Sequence, residues 1–268
     1  MIDLGKKNIL GVLVNAIDYE AATDRIIAAA KSQQNLTVTA LAVHGVMTGV
    51  LDPVQRYRLN QFDIATPDGQ PVRWALAWLH KTRLADRVYG PTLMLKICER
   101  AQQEALPIFI YGSRPVVIEA LGKNLQSRFP RLVIAGKEPS RFRRAYPSEK
   151  QEIVKRIKQS QAALTFVGMG CPRQEVWVYE YRSELQMPLV AVGAAFDFHA
   201  GMLPQAPAAL QKVGLEWLFR FYTEPKRLWK RYLFLNPLYL CCLLMQKTSL
   251  KKFIPERSKK PIEEIGYI

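Results

Sequence analysis

Residues 164–175 combine the residue types and spacing best suited to chemistry in this chain. Leu164, Thr165, Phe166 and Val167 read as a buried strand. Gly168, Met169 and Gly170 read as a tight turn, and Cys171, Pro172, Arg173, Gln174 and Glu175 as the opening of a helix. Such a turn brings backbone N–H groups close to a phosphate, and the positive end of the helix dipole favours the anion. Pro172 suits the first turn of a helix, where a missing N–H costs nothing. Arg173 and Gln174 then stand where a bound phosphate or sugar would lie. Any α/β protein needs tight strand-to-helix turns, so Gly168 and Gly170 are also what loop sterics alone would select. A second reactive candidate is Asp68, in Thr66-Pro67-Asp68-Gly69. It reads either as a carboxylate projecting from a post-strand turn or as ordinary turn chemistry.

The elements that must position these groups follow from the apolar pattern. Residues 9–14 read as a first strand, and a helix capped by Asp18 runs over Tyr19–Lys31. Strands are expected over residues 36–43, 62–65, 107–111, 132–135, 164–167 and 189–192. Helices are expected over 71–78, 115–129 and 173–186. The central βαβ units imply a parallel sheet with right-handed crossovers. Ligands in such sheets bind outside the carboxyl ends of the strands. The turns at Asp68, Gly112, Gly168 and Asp197 should therefore gather on one edge.

The 268 residues fit one large α/β domain with an appendage, and 49% apolar content supplies a core. The net charge of +15 calls for an anionic partner. From Arg220 onward 11 Lys/Arg stand against 4 Asp/Glu over 49 residues, whereas the first 219 residues carry 27 against 19. The boundary is expected near residue 203, with an α/β core over 1–203 and a basic appendage over 204–268. Cys98, Cys171, Cys241 and Cys242 form no CxxC pair and only three histidines occur, which argues against a zinc site. Free thiols fit a reducing cytosol. Cys171 has no histidine near it in sequence and reads as an inert thiol. The N-terminus carries no convincing signal peptide. The nearly apolar run at 232–245 is shorter than the roughly 20 residues that span a bilayer.

Several short elements occur in a fixed order: Thr66-Pro67-Asp68-Gly69, Asp86-Arg87-Val88-Tyr89-Gly90, Phe109-Ile110-Tyr111-Gly112, the segment 168–175, Val192-Gly193-Ala194-Ala195-Phe196-Asp197, and Gly214-Leu215-Glu216-Trp217-Leu218-Phe219-Arg220 with Glu224, Pro225 and Arg227 after it. Together they resemble the WecG/TagA/CpsF family of glycosyltransferases, from about residue 8 to residue 235. The resemblance implies a Rossmann-like α/β core with a helical, basic C-terminal appendage. It implies a hexosyltransferase that is inverting and metal-independent, with no cofactor. The sugar (an N-acetylhexosamine, its uronic acid or a hexose) would pass from a UDP-sugar donor to a polyprenyl-diphosphate-linked acceptor. The expected setting is cell-surface polysaccharide synthesis, at the inner face of the plasma membrane on the cytoplasmic side.

Residue roles follow from the same resemblance. Asp68 matches the proposed catalytic aspartate and is expected to take the acceptor hydroxyl proton. Arg87 would hold the donor diphosphate through its bidentate guanidinium, or else form a surface ion pair with Asp86 or another acid. Gln174 would orient the sugar or acceptor, and Arg173 is either a ligand contact or a solvated helix-face charge. Tyr111, Gly112 and Asp197 would frame the nucleotide, with Tyr111 bordering the uracil or packing at the strand end. The family often carries Thr-Leu-Asn followed by a polar residue where this chain has Thr39-Ala40-Leu41-Ala42-Val43-His44. Ala42 stands in the asparagine position, and His44 either supplies a polar contact in its place or is a satisfied half-buried histidine. Gly168 and Gly170 would approach a phosphate. No Asp-x-Asp pair occurs, so positive side chains are expected to stabilise the departing UDP.

Arg220, Arg227 and Arg231 are the expected source of that charge. Interleaved with aromatics, they also suit a helix on an anionic membrane surface. The apolar run 233–245 wants that membrane, a partner subunit in a homo-oligomer, or the core. Two rival readings are a Rossmann-type oxidoreductase and a nucleic-acid-binding protein. The first lacks a complete G-x-G-x-x-G opening a strand–helix unit. The second is disfavoured because the charge lies beside an apolar tail, which fits lipid and no nucleic acid.

Overall fold

The computed structural model describes residues 1–207, 209–210 and 214–268; for Arg227, Lys230 and Arg231 it describes the backbone alone. The chain opens with an antiparallel hairpin, β1 (Asp3–Ile9) and β2 (Val12–Ile17), turned at Leu10 and Gly11 with φ of 55° and 84°. The expected single strand over 9–14 is thus two strands, because a left-handed Gly11 reverses the chain in its middle. Then follow α1 (Tyr19–Lys31), β3 (Leu36–Leu41), α2 (Val43–Leu51), α3 (Pro53–Asn60), β4 (Ile64–Pro67), α4 (Gln70–His80) and α5 (Gly90–Gln103). After them come β5 (Ile108–Gly112), α6 (Pro115–Arg128), β6 (Ile134–Glu138), α7 (Pro147–Gln159), β7 (Leu164–Gly168), α8 (Arg173–Tyr181), β8 (Pro188–Ala191) and α9 (Ala195–His199). The last elements are α10 (Glu216–Thr223), α11 (Pro225–Lys230), a π-helical turn (Arg231–Leu235) and α12 (Asn236–Lys247).

Among the described residues, six strands form one sheet in the order β4-β3-β8-β7-β5-β6, every neighbouring pair parallel. This is the Rossmann-like α/β architecture. Apart from the edge strand β6, the strands are largely buried on both faces, as parallel sheets require. Alternate residues therefore feed different cores. Ile108 and Ile110 of β5 enter the cluster with α1, α5 and α6, whereas Phe109 and Tyr111 enter the cluster with α7 and α8. Asp18 caps α1 by accepting the Ala21 N–H at 2.9 Å.

The hairpin and α12 share a third cluster. Tyr239, Cys242, Leu243 and Phe253 pack with Val12, Val14, Val46 and Leu76. Asn8 Nδ2 donates to the Phe253 carbonyl at 2.7 Å, and the Leu10 N–H donates to Gln246 Oε1 at 2.8 Å. Among the described residues, no helix is long and apolar enough to cross a membrane.

Candidate active site

A cleft of about 580 Å³ opens along the carboxyl edge of the sheet. The turns after β3, β4, β5, β7 and β8 form its floor, and α10 with the π-helical turn forms its far wall. Asp68 leaves the end of β4, its N–H held by the carbonyls of Leu41 at 3.1 Å and Thr66 at 3.0 Å. Its Oδ1 accepts the Gly90 N–H at 2.6 Å, at the start of α5. Gly90 is needed for that approach. A Cβ there would lie 3.2 Å from Ala40 Cβ, 3.3 Å from the Val192 carbonyl and 3.5 Å from Asp68 Oδ1. Burial pushes the Asp68 carboxyl above its ordinary range, and the Arg87 charge and the Gly90 N–H pull it partly back.

Arg87 is buried and forms an ion pair with Glu216, which α10 carries to the site. Tyr89 Oη donates to the other Glu216 oxygen at 2.9 Å, and the Arg87 guanidinium lies 4.2 Å from the centre of the Tyr89 ring. Burial works against the Arg87 charge, but Glu216 and Asp68 more than offset it, so the guanidinium holds its proton more firmly than usual. Asp68, Arg87 and Glu216 thus form one charge-coupled group. Arg220, one helical turn after Glu216, also lines the cleft, with its guanidinium 5.5 Å from the Phe198 ring centre and 3.9 Å from Glu224.

The other expected residues divide. Asp68, Arg87, Gln174, His44, Gly168, Gly170, Asp197 and Arg220 all line the cleft. Gly170 has φ of 78° and nothing within 4 Å of a Cβ position, so backbone conformation selects it. At Gly168 a Cβ would strike the Phe196 ring, so close packing selects that glycine. Tyr111 points away from the cleft. Its ring stacks on Trp177 at 4.6 Å, and Trp177 on Tyr181 at 4.1 Å. Thr39 is fully buried and donates to Glu175 Oε1 at 3.1 Å. Arg173 is exposed outside the cleft, 5.9 Å from the ring centres of both Phe142 and Tyr267. The side chains of Arg227 and Arg231 lie outside the described residues.

Gly112 does not line the cleft; it permits the contact between two turns. Its φ is 111°, and a Cβ would lie 2.8 Å from the backbone carbon and oxygen of Gly168. Gly112→Ala should therefore destabilise the fold by about 1–3 kcal/mol. Urea unfolding would read this as a lower midpoint at unchanged slope, and an unchanged midpoint would refute it.

Tyr89, Glu216 and Trp217 stand in the ordered motifs without a role assigned to them, and sequence reasoning missed Arg114 and Phe142; all five line the cleft from distant segments. Among the described residues, no cluster of three or more His, Cys, Asp or Glu side chains is arranged to hold a metal ion.

In a parallel α/β sheet, a cleft at the carboxyl edge lined by a carboxylate and arginines is where ligands bind, and its charge suits anionic ones. The chain belongs to the glycosyl transferase WecG/TagA/CpsF family, whose model matches residues 7–253. It is therefore a glycosyltransferase of the hexosyl class, which decides against the oxidoreductase alternative. Two relatives carry the name N-acetylglucosaminyldiphosphoundecaprenol N-acetyl-beta-D-mannosaminyltransferase. The one from Bacillus subtilis (strain 168) is 27% identical over 208 residues, covering 77% of this chain and 78% of its own. The one from Bacillus spizizenii (strain ATCC 23059 / NRRL B-14472 / W23) is 29% identical over 195 residues, covering 72% and 73%.

Proposed function

We propose that this glycosyltransferase moves an N-acetylhexosamine, or a closely related sugar, from a UDP-sugar to a polyprenyl-diphosphate-linked saccharide, with inversion and without a metal. The observation that carries the reading is the cleft-facing Asp68, tied to the Gly90 N–H and coupled to Arg87. The acceptor hydroxyl oxygen attacks the anomeric carbon while its proton passes to Asp68. The bond from that carbon to the UDP oxygen breaks, and UDP leaves with the electron pair. A base raised above the ordinary carboxylate range accepts a proton more readily. Arg220 and Arg114 face the same cleft and would meet the negative charge developing on the diphosphate. Gln174 would contact the sugar and Asp197 the ribose hydroxyls. The acceptor class is supported by the relatives' names. Ala42 and His44 line the cleft where the family often has an asparagine and a polar residue, so the donor sugar is open to selection there.

The test pairs a panel of UDP-sugars with a short-chain polyprenyl-diphosphate-GlcNAc acceptor, without added metal, for the wild type and Asp68→Asn. Product from one donor, lost in the variant, is the expected result. An absence of any UDP binding would overturn the reading.

The same reading seats the enzyme on an anionic membrane surface through its C-terminal helices. Leu233, Phe234, Leu240 and Leu244 are 54–64% exposed, and Lys247, Lys251 and Lys252 are exposed beside them. Apolar side chains rimmed by lysines suit the interface of an anionic bilayer. Leu240→Glu with Leu244→Glu should abolish co-sedimentation with phosphatidylglycerol-containing vesicles without lowering Tm, because both positions are exposed. Unchanged co-sedimentation would remove the membrane from the reading.

A further inference from the structure

The proposed reaction employs Gln174 and leaves the fully buried acid beside it without a task. Glu175, in the first turn of α8, has no solvent exposure. Its Oε1 accepts two side-chain hydrogen bonds, from Thr39 Oγ1 at 3.1 Å and from Gln174 Nε2 at 2.9 Å. Burial pushes its carboxyl above the usual range, and the Gln174 and Thr39 donors pull it partly back. A buried acid is costly to keep, so its contacts need a reason.

Geometry supplies one. A glutamine amide has two orientations of nearly equal shape, and its hydrogen-bond partners decide between them. With Glu175 ionised, or with its proton on Oε2, Oε1 can only accept from the Gln174 amide. Gln174 must therefore turn its NH2 toward Glu175 and its carbonyl oxygen away. That oxygen is buried at the cleft wall and takes no hydrogen bond among the described residues. Gly193 leaves the room: a Cβ there would lie 3.4 Å from both terminal atoms of the Gln174 amide. A buried acceptor without a partner penalises the empty site and rewards a ligand that brings a hydrogen.

We propose that Glu175 is a positioning residue: anchored by Thr39, it locks the Gln174 amide so that its carbonyl oxygen requires an O–H or N–H donor on the sugar. Thr39 then acts through Glu175, one residue removed from any ligand. This inference rests on the transferase reading given above.

The test compares the Kd of UDP with those of UDP-N-acetylglucosamine and UDP-N-acetylmannosamine by calorimetry. In Glu175→Leu, binding of the preferred UDP-sugar should weaken about ten-fold, the worth of one hydrogen bond to a buried group. UDP itself should stay within about two-fold. Glu175→Gln keeps the accepting oxygen and should stay within about three-fold of wild type. Thr39→Val removes one anchor at constant volume and guards against misfolding of the leucine variant; it should shift the UDP-sugar Kd in the same direction and by less. In a Gln174→Leu background, Glu175→Leu should add nothing, because both changes remove the same oriented acceptor. Equal weakening of UDP and UDP-sugar in Glu175→Leu and Thr39→Val would overturn the proposal, as would full additivity with Gln174→Leu. A wild type that binds neither UDP-sugar would overturn the transferase reading itself, and this inference with it.

Discussion

Asp68→Asn should lower kcat by about 10²–10⁴-fold, the usual contribution of a positioned general base. The variant should meanwhile hold UDP within about two-fold and be at least as stable as the wild type. Asparagine keeps the oxygen that accepts the Gly90 N–H, so the turn after β4 survives, but it cannot take the acceptor proton. The stability sign follows from the direction of the pKa shift. Burial raises the Asp68 carboxyl above its ordinary 3.8, so the folded chain binds this proton more tightly than the unfolded one. The stability this group contributes is full below 3.8 and is lost as pH rises through the raised folded value. Above that raised value the wild type has lost it, whereas a neutral asparagine has nothing to ionise. Thermal melts at pH 8 together with single-turnover transfer would check both halves. A clearly lower Tm would mean that the carboxylate is structural, and a retained kcat would remove Asp68 as the base. The acid limb of kcat/KM against pH should also lie above the ordinary carboxylate range. It should rise further in Arg87→Met, since the Arg87 charge holds the Asp68 value down.

Arg87→Met should destabilise the fold by about 3–5 kcal/mol, because it strands the Glu216 carboxylate in a buried site. Glu216 would then face the Tyr89 hydroxyl and the Asp68 carboxylate with no cation paired to it from β4–α5. Adding Glu216→Gln removes the stranded charge and should restore most of that loss, since a neutral amide still accepts the Tyr89 O–H. Transfer should stay low in the double variant, because Asp68 lacks its neighbouring cation. Denaturant unfolding of the two single variants and the double gives the coupling energy. Additive losses would mean that Arg87 and Glu216 do not depend on one another. Limited proteolysis offers a second readout, since loss of the pair should expose α10 to cleavage after Arg220.

Much of this architecture was readable from apolar runs. The strands at 107–111 and 164–167 end within one residue of β5 and β7, and Asp18 caps α1, because uninterrupted apolar stretches and capping residues are local signals. The hairpin was half legible. The strand expected over 9–14 overlaps the start of Val12–Ile17 but straddles the turn, and Asp3–Ile9 carries Lys6 and Lys7 and is largely exposed, so it shows no apolar run. Tyr111 illustrates a parity problem. Its strand is buried on both faces, so the sequence cannot tell which face a ring occupies, and in this fold it faces α8. Asp68 was legible as a turn carboxylate, and the role proposed for it rests on the ordered motifs around it. The pairing of Glu216 with Arg87 and the place of Arg114 were not legible, because no local pattern predicts that segments so far apart in sequence converge on one cleft. Glu175 stands in the segment 168–175, but nothing local in the sequence shows that it is buried against Thr39 and Gln174.

The hydrogen bonds joining Asn8 to Phe253 and Leu10 to Gln246 bear on how the protein is made. A ribosome emits the β1–β2 hairpin and Asp68 well before Glu216 and α12. During that interval Arg87 lacks its acidic partner, and the apolar face that Tyr239, Cys242 and Leu243 will cover stands open to water. Contacts spanning more than 230 residues close only after a long loop has been ordered, which slows folding and prolongs exposure of sticky surface. The far wall of the cleft, with the Arg87–Glu216 pair, can therefore form only after the helix bearing Glu216 has emerged from the ribosome and docked.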